Sequence, residues 1–344
     1  MSFLKVVRPQ KLTDRVVIVD GQPGCGKTML SPIVAALDRV ELLNFAYEIE
    51  YVCALRYLNR IDKDVAESLV RLLTDLKLYN LMMSRETNFR WNDASSVFKD
   101  VKPFRYILRA LQRGDDIIPE RIQKKRPILN LTTHDLLSRA GVVFGALREN
   151  LVFIEMVRHP LYMFKQEAVN MQKLFLSDPK HFQIYFSYKG KEFPYFVYGW
   201  EELFLKSNHV EKAIYLINSM TERTKKFKEN LKENLSGAKL ITIPFEKFVI
   251  EPEPYLKTIE LVLQTKVTSA TRKMMKRQNV PRKMYAQGVG SKIYKKYGWE
   301  PPKSSDENKE FQLRREFAKE NASKEALAVL DKLSCEYEKE YLLR

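Results

Sequence analysis

Arg15-Val16-Val17-Ile18-Val19-Asp20-Gly21-Gln22-Pro23-Gly24-Cys25-Gly26-Lys27-Thr28 is the stretch that decides the fold. Its first six residues form an apolar, β-branched run of strand type. The next eight complete the pattern GxxxxGK[ST], and a helical pattern follows from Met29 to Leu37. Strand, glycine loop and helix are the context in which this pattern cradles phosphate. The glycines let successive backbone N–H groups turn toward one centre. The helix adds free N-terminal amides and the positive end of its dipole. Lys27 supplies a mobile cation, and Thr28 a hydroxyl for a metal or a phosphate oxygen. Gly21, Gln22, Pro23, Gly24, Cys25, Gly26, Lys27, Thr28 and Met29 are therefore the candidate nucleotide-binding residues. Cys25 reads as a small side chain that fits inside the loop, although loop amides could also lower a thiol's pKa.

Further apolar runs place other strands at 127–133, 151–157 and 239–243, the last stopped by Pro244. Helical patterns separate them, which predicts an α/β fold with a central parallel sheet between helical layers. Tyr47 to Asn59 and Asp64 to Met83 read as helices, Asn88 to Asp100 as a loop, and Pro103 to Gln112 as a short helix. Gln183 to Tyr188 and Glu192 to Tyr198 flank Lys189-Gly190-Lys191 as a hairpin. His209 to Asn234 is a long basic helix, Pro301 to Ser305 a linker, and Glu307 to Leu343 a charged terminal helix.

The 344 residues are 45% hydrophobic, enough for a sizeable core. The 59 basic against 43 acidic residues give a net charge of +16, which favours anionic partners. That charge is spread along the chain, and no nucleic-acid-binding motif accompanies it. Cys25, Cys53 and Cys335 form no spaced pair, so neither a disulfide framework nor a cysteine metal site is expected. Met1 to Leu12 is too short and polar for a signal peptide, and no run approaches a membrane span. A cytoplasmic protein is the expectation.

Ligands of open α/β sheets sit beyond the carboxyl ends of the strands. Besides the glycine loop, those ends carry Thr133-His134-Asp135 and Arg158-His159-Pro160. His134 is the candidate general base, because histidine alone has an ordinary pKa near neutrality. Arg158 is the candidate anion clamp, because a guanidinium forks onto phosphate.

Taken in order, these segments resemble the sulfotransferase family, which moves a sulfuryl group from 3′-phosphoadenosine 5′-phosphosulfate (PAPS) to an acceptor. Val19 to Thr28 is similar to that family's 5′-phosphosulfate loop, and Thr133-His134 to its Thr-His pair. Phe153 to Pro160 is similar to its 3′-phosphate strand, apolar then Arg-x-Pro. Ile243 to Phe248 with Glu251-Pro252-Glu253 resembles its Tyr-Glu-x-Leu…Pro segment. Gly24 stands where the family usually has Lys or Arg, and Gln166 where it has a serine. Arg282-Lys283-Met284 stands for its Arg-Lys-Gly triplet.

The resemblance implies a P-loop fold over residues 1–303, with 44–123 a mostly helical insertion on the acceptor side and 304–344 a helical extension. It implies a PAPS donor held by the loop, Arg158, Gln166, Arg282 and Lys283, with His134 as base, Lys27 stabilising charge and no metal required. The acceptor would be a small-molecule or glycan hydroxyl or amine. Its pocket is expected from Tyr47 to Met83, Asn88 to Lys99 and the aromatic hairpin.

Two other readings remain at this level. An intact Gly-Lys-Thr also suits an ATP-dependent kinase, which needs Mg²⁺ and a carboxylate such as Asp20 or Glu155 to hold it. A basic nucleic-acid-binding or scaffolding protein would account for the charge but leaves the ordered motifs unexplained.

Overall fold

The computed structural model describes residues 4–174, 182–233, 237–284 and 306–343. A five-stranded, all-parallel sheet forms the centre, in the order β2-β3-β1-β4-β7. Its strands are β1 (Val16–Asp20), β2 (Asn44–Phe45), β3 (Leu129–Thr132), β4 (Leu151–Val157) and β7 (Lys239–Pro244). β5 (Tyr185–Tyr188) and β6 (Lys191–Pro194) make the separate antiparallel hairpin that the aromatic segment predicts.

Every side chain of β1 is buried, and the period of two sends successive residues to opposite faces. Val17 and Val19 join one apolar core with Val152, Ile154 and Met156 of β4. Val16 and Ile18 join a second core with Leu129, Leu131, Leu151 and Phe153. Helices cover both faces, giving the three layers expected.

The first core is closed by α1 (Lys27–Ala35), α7 (Pro160–Val169) and the first half of α9 (His209–Glu233). The second is closed by α2 (Tyr47–Tyr57), α3 (Lys63–Met82), α4 (Phe104–Ala110), α5 (Ile118–Lys125) and α6 (Gly141–Leu147). α8 (Glu201–Lys206) precedes α9, and α10 (Phe245–Ile250), α11 (Glu253–Leu263) and α12 (Ser269–Arg277) follow β7.

Two expectations need correction. Residues 44 and 45, the start of the supposed helical insertion, are the edge strand β2, paired with Leu131 and Thr132. The charged terminal segment is two helices, α13 (Glu307–Asn321) and α14 (Lys324–Tyr337), followed by one π-helical turn. Ala322 is extended, and the Ser323 hydroxyl caps α14 by accepting from the Ala326 N–H. The Ser323 N–H itself donates to Glu211 of α9 at 2.9 Å. The break lets Ala318, Ala326, Leu330 and Leu333 all enter the first core. The expected linker at 301–305 lies outside the described residues. Among the described residues no helix is long and apolar enough to cross a membrane.

Candidate active site

Strand order turns at β1, with β3 on one side and β4 on the other. The loop leaving β1 therefore opens at the topological switch point, where such sheets bind ligands. Gly26 caps α1 in the left-handed region, φ 100°. A side chain there would overlap the Phe245 ring, so glycine is required twice over. Lys27 is buried, and its Nζ donates to the Gly21 carbonyl at 2.9 Å and to that of Gln22 at 3.4 Å. The cation thus closes the loop on itself. Thr28 is exposed at the helix start, and Met29 N–H donates to the Gly26 carbonyl at 2.9 Å. Burial pushes the Cys25 thiol up, against the pull of Lys27, so Cys25 is a packing residue. The Gln22 amide donates to the Thr221 hydroxyl of α9 at 3.1 Å. Pro23 lies half-buried at the turn of the loop.

The strand-end carboxylates named for a metal are engaged by protein. Asp20 accepts from the Thr133 hydroxyl at 2.7 Å and from the Leu136 and Leu137 N–H groups, each at 2.9 Å. Glu155 lies 2.5 Å from Lys228 Nζ and accepts from the Thr242 hydroxyl at 2.8 Å. Asp20 is the clasp that holds the β3 exit against the loop. The Asp135 N–H donating to the Gly21 carbonyl at 3.1 Å completes it.

His134 is therefore flanked by two residues bonded to Asp20 and Gly21. Its Nδ1 lies 3.0 Å from Glu50 Oε1, and its backbone N–H donates to the same oxygen at 2.9 Å. A carboxylate only accepts, so Nδ1 carries the hydrogen and Nε2 keeps its lone pair. The ring stacks on Phe45 and Tyr47 at centroid distances of 5.8 and 5.6 Å. Glu50 comes from α2, far from any motif, and no sequence signal pairs it with the histidine. His159 is a cap instead. It is buried, its Nδ1 accepts from the Leu161 N–H at 3.2 Å, and its Nε2 lies 3.1 Å from Glu338.

Arg158 donates from Nη1 to the Gly24 carbonyl at 3.0 Å. Its guanidinium sits 4.1 Å from the centre of the Phe245 ring and 4.9 Å from that of Tyr162. Its Nε has no hydrogen-bond partner among the described residues. Arg282 also meets the Phe245 ring, 5.4 Å from its centroid. Burial, with Arg158 close by, pushes its guanidinium down to about 10. Lys283 is exposed beside it. Gln166 lies against the loop, its Oε1 3.3 Å from where a Gly24 side chain would begin. The structure thus brings together the loop, Arg158, Gln166 and Arg282. Sequence reasoning did not single out Phe245 or Tyr162, the rings that hold the guanidiniums.

A cavity of about 450 Å³ adjoins the first residues of the loop. Gly21, Gln22, Asp135, Glu155, Arg158 and Tyr337 are in its wall, and α9 and the C-terminal segment close it. The segments expected to build an acceptor pocket, α2, α3, the 88–99 loop and the hairpin, do not line this cavity; α2 faces His134 instead. Asp135 is held in the left-handed region, φ 51°, a strained backbone at a strand end. Burial raises its carboxyl to about 6 against the pull of Arg139, whose Nη1 lies 3.2 Å away. Glu167 of α7 is buried too, and desolvation pushes it up to about 7.

No family model matches the chain, and no curated relative does. Several solved structures resemble it. A sulfotransferase domain from the curacin biosynthetic pathway is 14% identical, with TM-score 0.45, over 94% of this chain and 99% of that one. Sulfotransferase STF9 from Mycobacterium avium is 12% identical, with TM-score 0.43, over 97% and 78%. Mouse sulfotransferase SULT7A1, in complex with PAP, is 12% identical, with TM-score 0.36, over 96% and 86%. Likenesses this distant leave the chemistry to be read from the site itself.

Proposed function

We propose that this chain is a sulfotransferase that uses PAPS as donor and a hydroxyl or amine of a small molecule or glycan as acceptor. The observation that carries the reading is the juxtaposition of Arg158 with the glycine loop. A guanidinium held between two aromatic rings, bonded to the loop's own Gly24 carbonyl and with an unpartnered Nε, suits a second anionic group on the nucleotide bound by the loop. A donor carrying both a 5′- and a 3′-phosphate has that second group. Asp20 and Glu155, the carboxylates a Mg²⁺-dependent kinase would call on, are already committed to protein donors.

The roles follow from the atoms. When bound, PAPS supplies an activated sulfuryl group with a phosphate leaving group. The loop amides and Thr28 would hold the 5′-phosphate, and Arg158, Gln166, Arg282 and Lys283 the 3′-phosphate. Lys27, released from the Gly21 carbonyl, would meet charge that builds at the transferring group. His134 would accept the acceptor's proton at Nε2, with Glu50 holding Nδ1–H and stabilising the cation that results. An acceptor at His134 would lie beside Phe45 and Tyr47, outside the cavity that Gly21, Gln22 and Asp135 line. Residues 1–303 would carry the reaction, with 304–344 as a helical extension, in a cytoplasmic protein.

Calorimetry tests the donor. Adenosine 3′,5′-bisphosphate is expected to bind at least tenfold tighter than ADP, with no dependence on Mg²⁺. A charge-assisted contact is worth about 1.5–3 kcal/mol, which is tenfold or more. Equal affinities, or ADP binding that requires Mg²⁺, would return the chain to the kinase reading.

A further inference from the structure

Arg158 has a second cationic neighbour, and it comes from the C-terminal helices. Arg314 of α13 is buried, and its guanidinium lies 4.6 Å from the centre of the Tyr162 ring that Arg158 also contacts. Arg282, Arg158 and Arg314 therefore form a chain of three guanidiniums joined through Phe245 and Tyr162.

Like charges gathered away from water repel. Burial and the nearness of Arg158 lower both Arg282 and Arg314 from the ordinary guanidinium value. Among the described residues the carboxylates near the trio include Glu246, which acts on Arg158, Glu310, whose Oε2 is 3.5 Å from Arg314 Nε, and Glu307, which accepts from the Tyr162 hydroxyl at 2.6 Å. Glu246 is shared, since it also accepts from the Tyr337 hydroxyl at 2.5 Å and the His159 N–H at 3.1 Å. Arg282 spends its Nε and Nη2 on the carbonyls of Asn279 and Gln278. Among the described residues the Nε atoms of Arg158 and Arg314 have no hydrogen-bond partner, so the trio keeps buried donors to offer a further anion.

We infer that Arg314 is a donor-specificity residue: α13 delivers a third guanidinium to the dianionic group that Arg158 and Arg282 meet. The inference rests on the proposed PAPS reading and adds to it. The C-terminal helices then complete the nucleotide site, and their docking and nucleotide binding support each other. Arg315, the next residue, makes the contrast. It is exposed, pairs with Asp331 of α14, and has no place at the loop.

The test measures affinity for adenosine 3′,5′-bisphosphate and for adenosine 5′-monophosphate by calorimetry, in the full chain and in Arg314→Gln, Arg314→Lys and Arg315→Gln. Wild type is expected to prefer the bisphosphate. Arg314→Gln should lose about 10–100-fold for the bisphosphate and less than about threefold for the monophosphate, the range of one charge-assisted contact. Arg314→Lys should lose less, because the charge stays while the fork is lost. Arg315→Gln should match wild type. If Arg314→Gln does not fold, the Lys variant carries the test, and a loss confined to the bisphosphate supports the inference. A folded Arg314 variant that binds both nucleotides like wild type, or loses both equally, overturns it while leaving the donor reading intact. A wild-type chain that does not distinguish the two nucleotides overturns the donor reading and this inference together.

Discussion

At the residue scale, the proposal places the chemistry on Lys27 and His134. Lys27 Nζ rests on carbonyls of its own loop, a position from which a bound anion would draw it. Lys27→Ala should lower turnover about 10²–10³-fold, the scale of one electrostatic stabiliser. Steady-state rates check this, and a wild-type rate would make the loop purely structural. His134→Ala should cost about 10²–10⁴-fold in turnover, as loss of a general base does. Nucleotide affinity should stay near wild type and Tm should fall little, because the ring is partly exposed and Glu50, which loses its Nδ1 contact, keeps the backbone N–H of residue 134 as donor. A folded, active variant would pass the role to Asp135, the carboxylate in the cavity wall. The place of His134 at a strand end beside the loop was legible in the sequence, because the apolar run of β3 ends just before it. Its partner Glu50 was not, because only the packing of α2 against the β3 exit brings the two together. Arg314 was equally hidden: on a charged helix it resembles Arg315, and only burial against α7 separates them.

At the scale of elements, α7 does more than cover the sheet. It begins with the His159 cap, presents Gln166 to the loop, and buries Glu167 one residue later. Glu167 accepts from the Asn170 amide at 2.9 Å, and its other oxygen has no partner among the described residues. Desolvation holds its proton up to about pH 7, whereas an unfolded glutamate releases it near 4.3. Between those values the native state binds more protons than the unfolded state, so this group's contribution to stability falls as pH rises. Glu167→Gln should therefore melt with wild type near pH 4.5 and above it at pH 8, by on the order of 1–3 kcal/mol. Melting curves across that range check the sign, and a difference that does not change with pH would contradict it. The main strands and the hairpin were readable because apolar runs and turn residues agree locally. β2 was not, since two residues hold no period, and its place is set by pairing with β3. The break between α13 and α14 was missed because Ala322-Ser323 interrupts no charge pattern, and contact with Glu211 of α9 fixes it.

For the whole molecule, the sheet sets a switch point at the end of β1, and the proposed groups come toward it from different parts of the chain. The loop comes from β1, His134 and Asp135 from β3, Arg158 from β4, Phe245 from the end of β7, and Arg314 from the C-terminal helices. The net charge of +16 favours anionic partners, such as the proposed donor. The central claim is sulfuryl transfer, and it is tested most directly by following the donor's sulfur. The chain is incubated with ³⁴S-labelled PAPS and a panel of phenols, alcohols, amines and oligosaccharides, without added metal, and products are read by mass spectrometry. The account predicts adenosine 3′,5′-bisphosphate and a labelled sulfate ester or sulfamate formed in equal amounts, both lost in Lys27→Ala. Label that stays in PAPS across the panel, together with phosphate transferred from ATP in the presence of Mg²⁺, would contradict it.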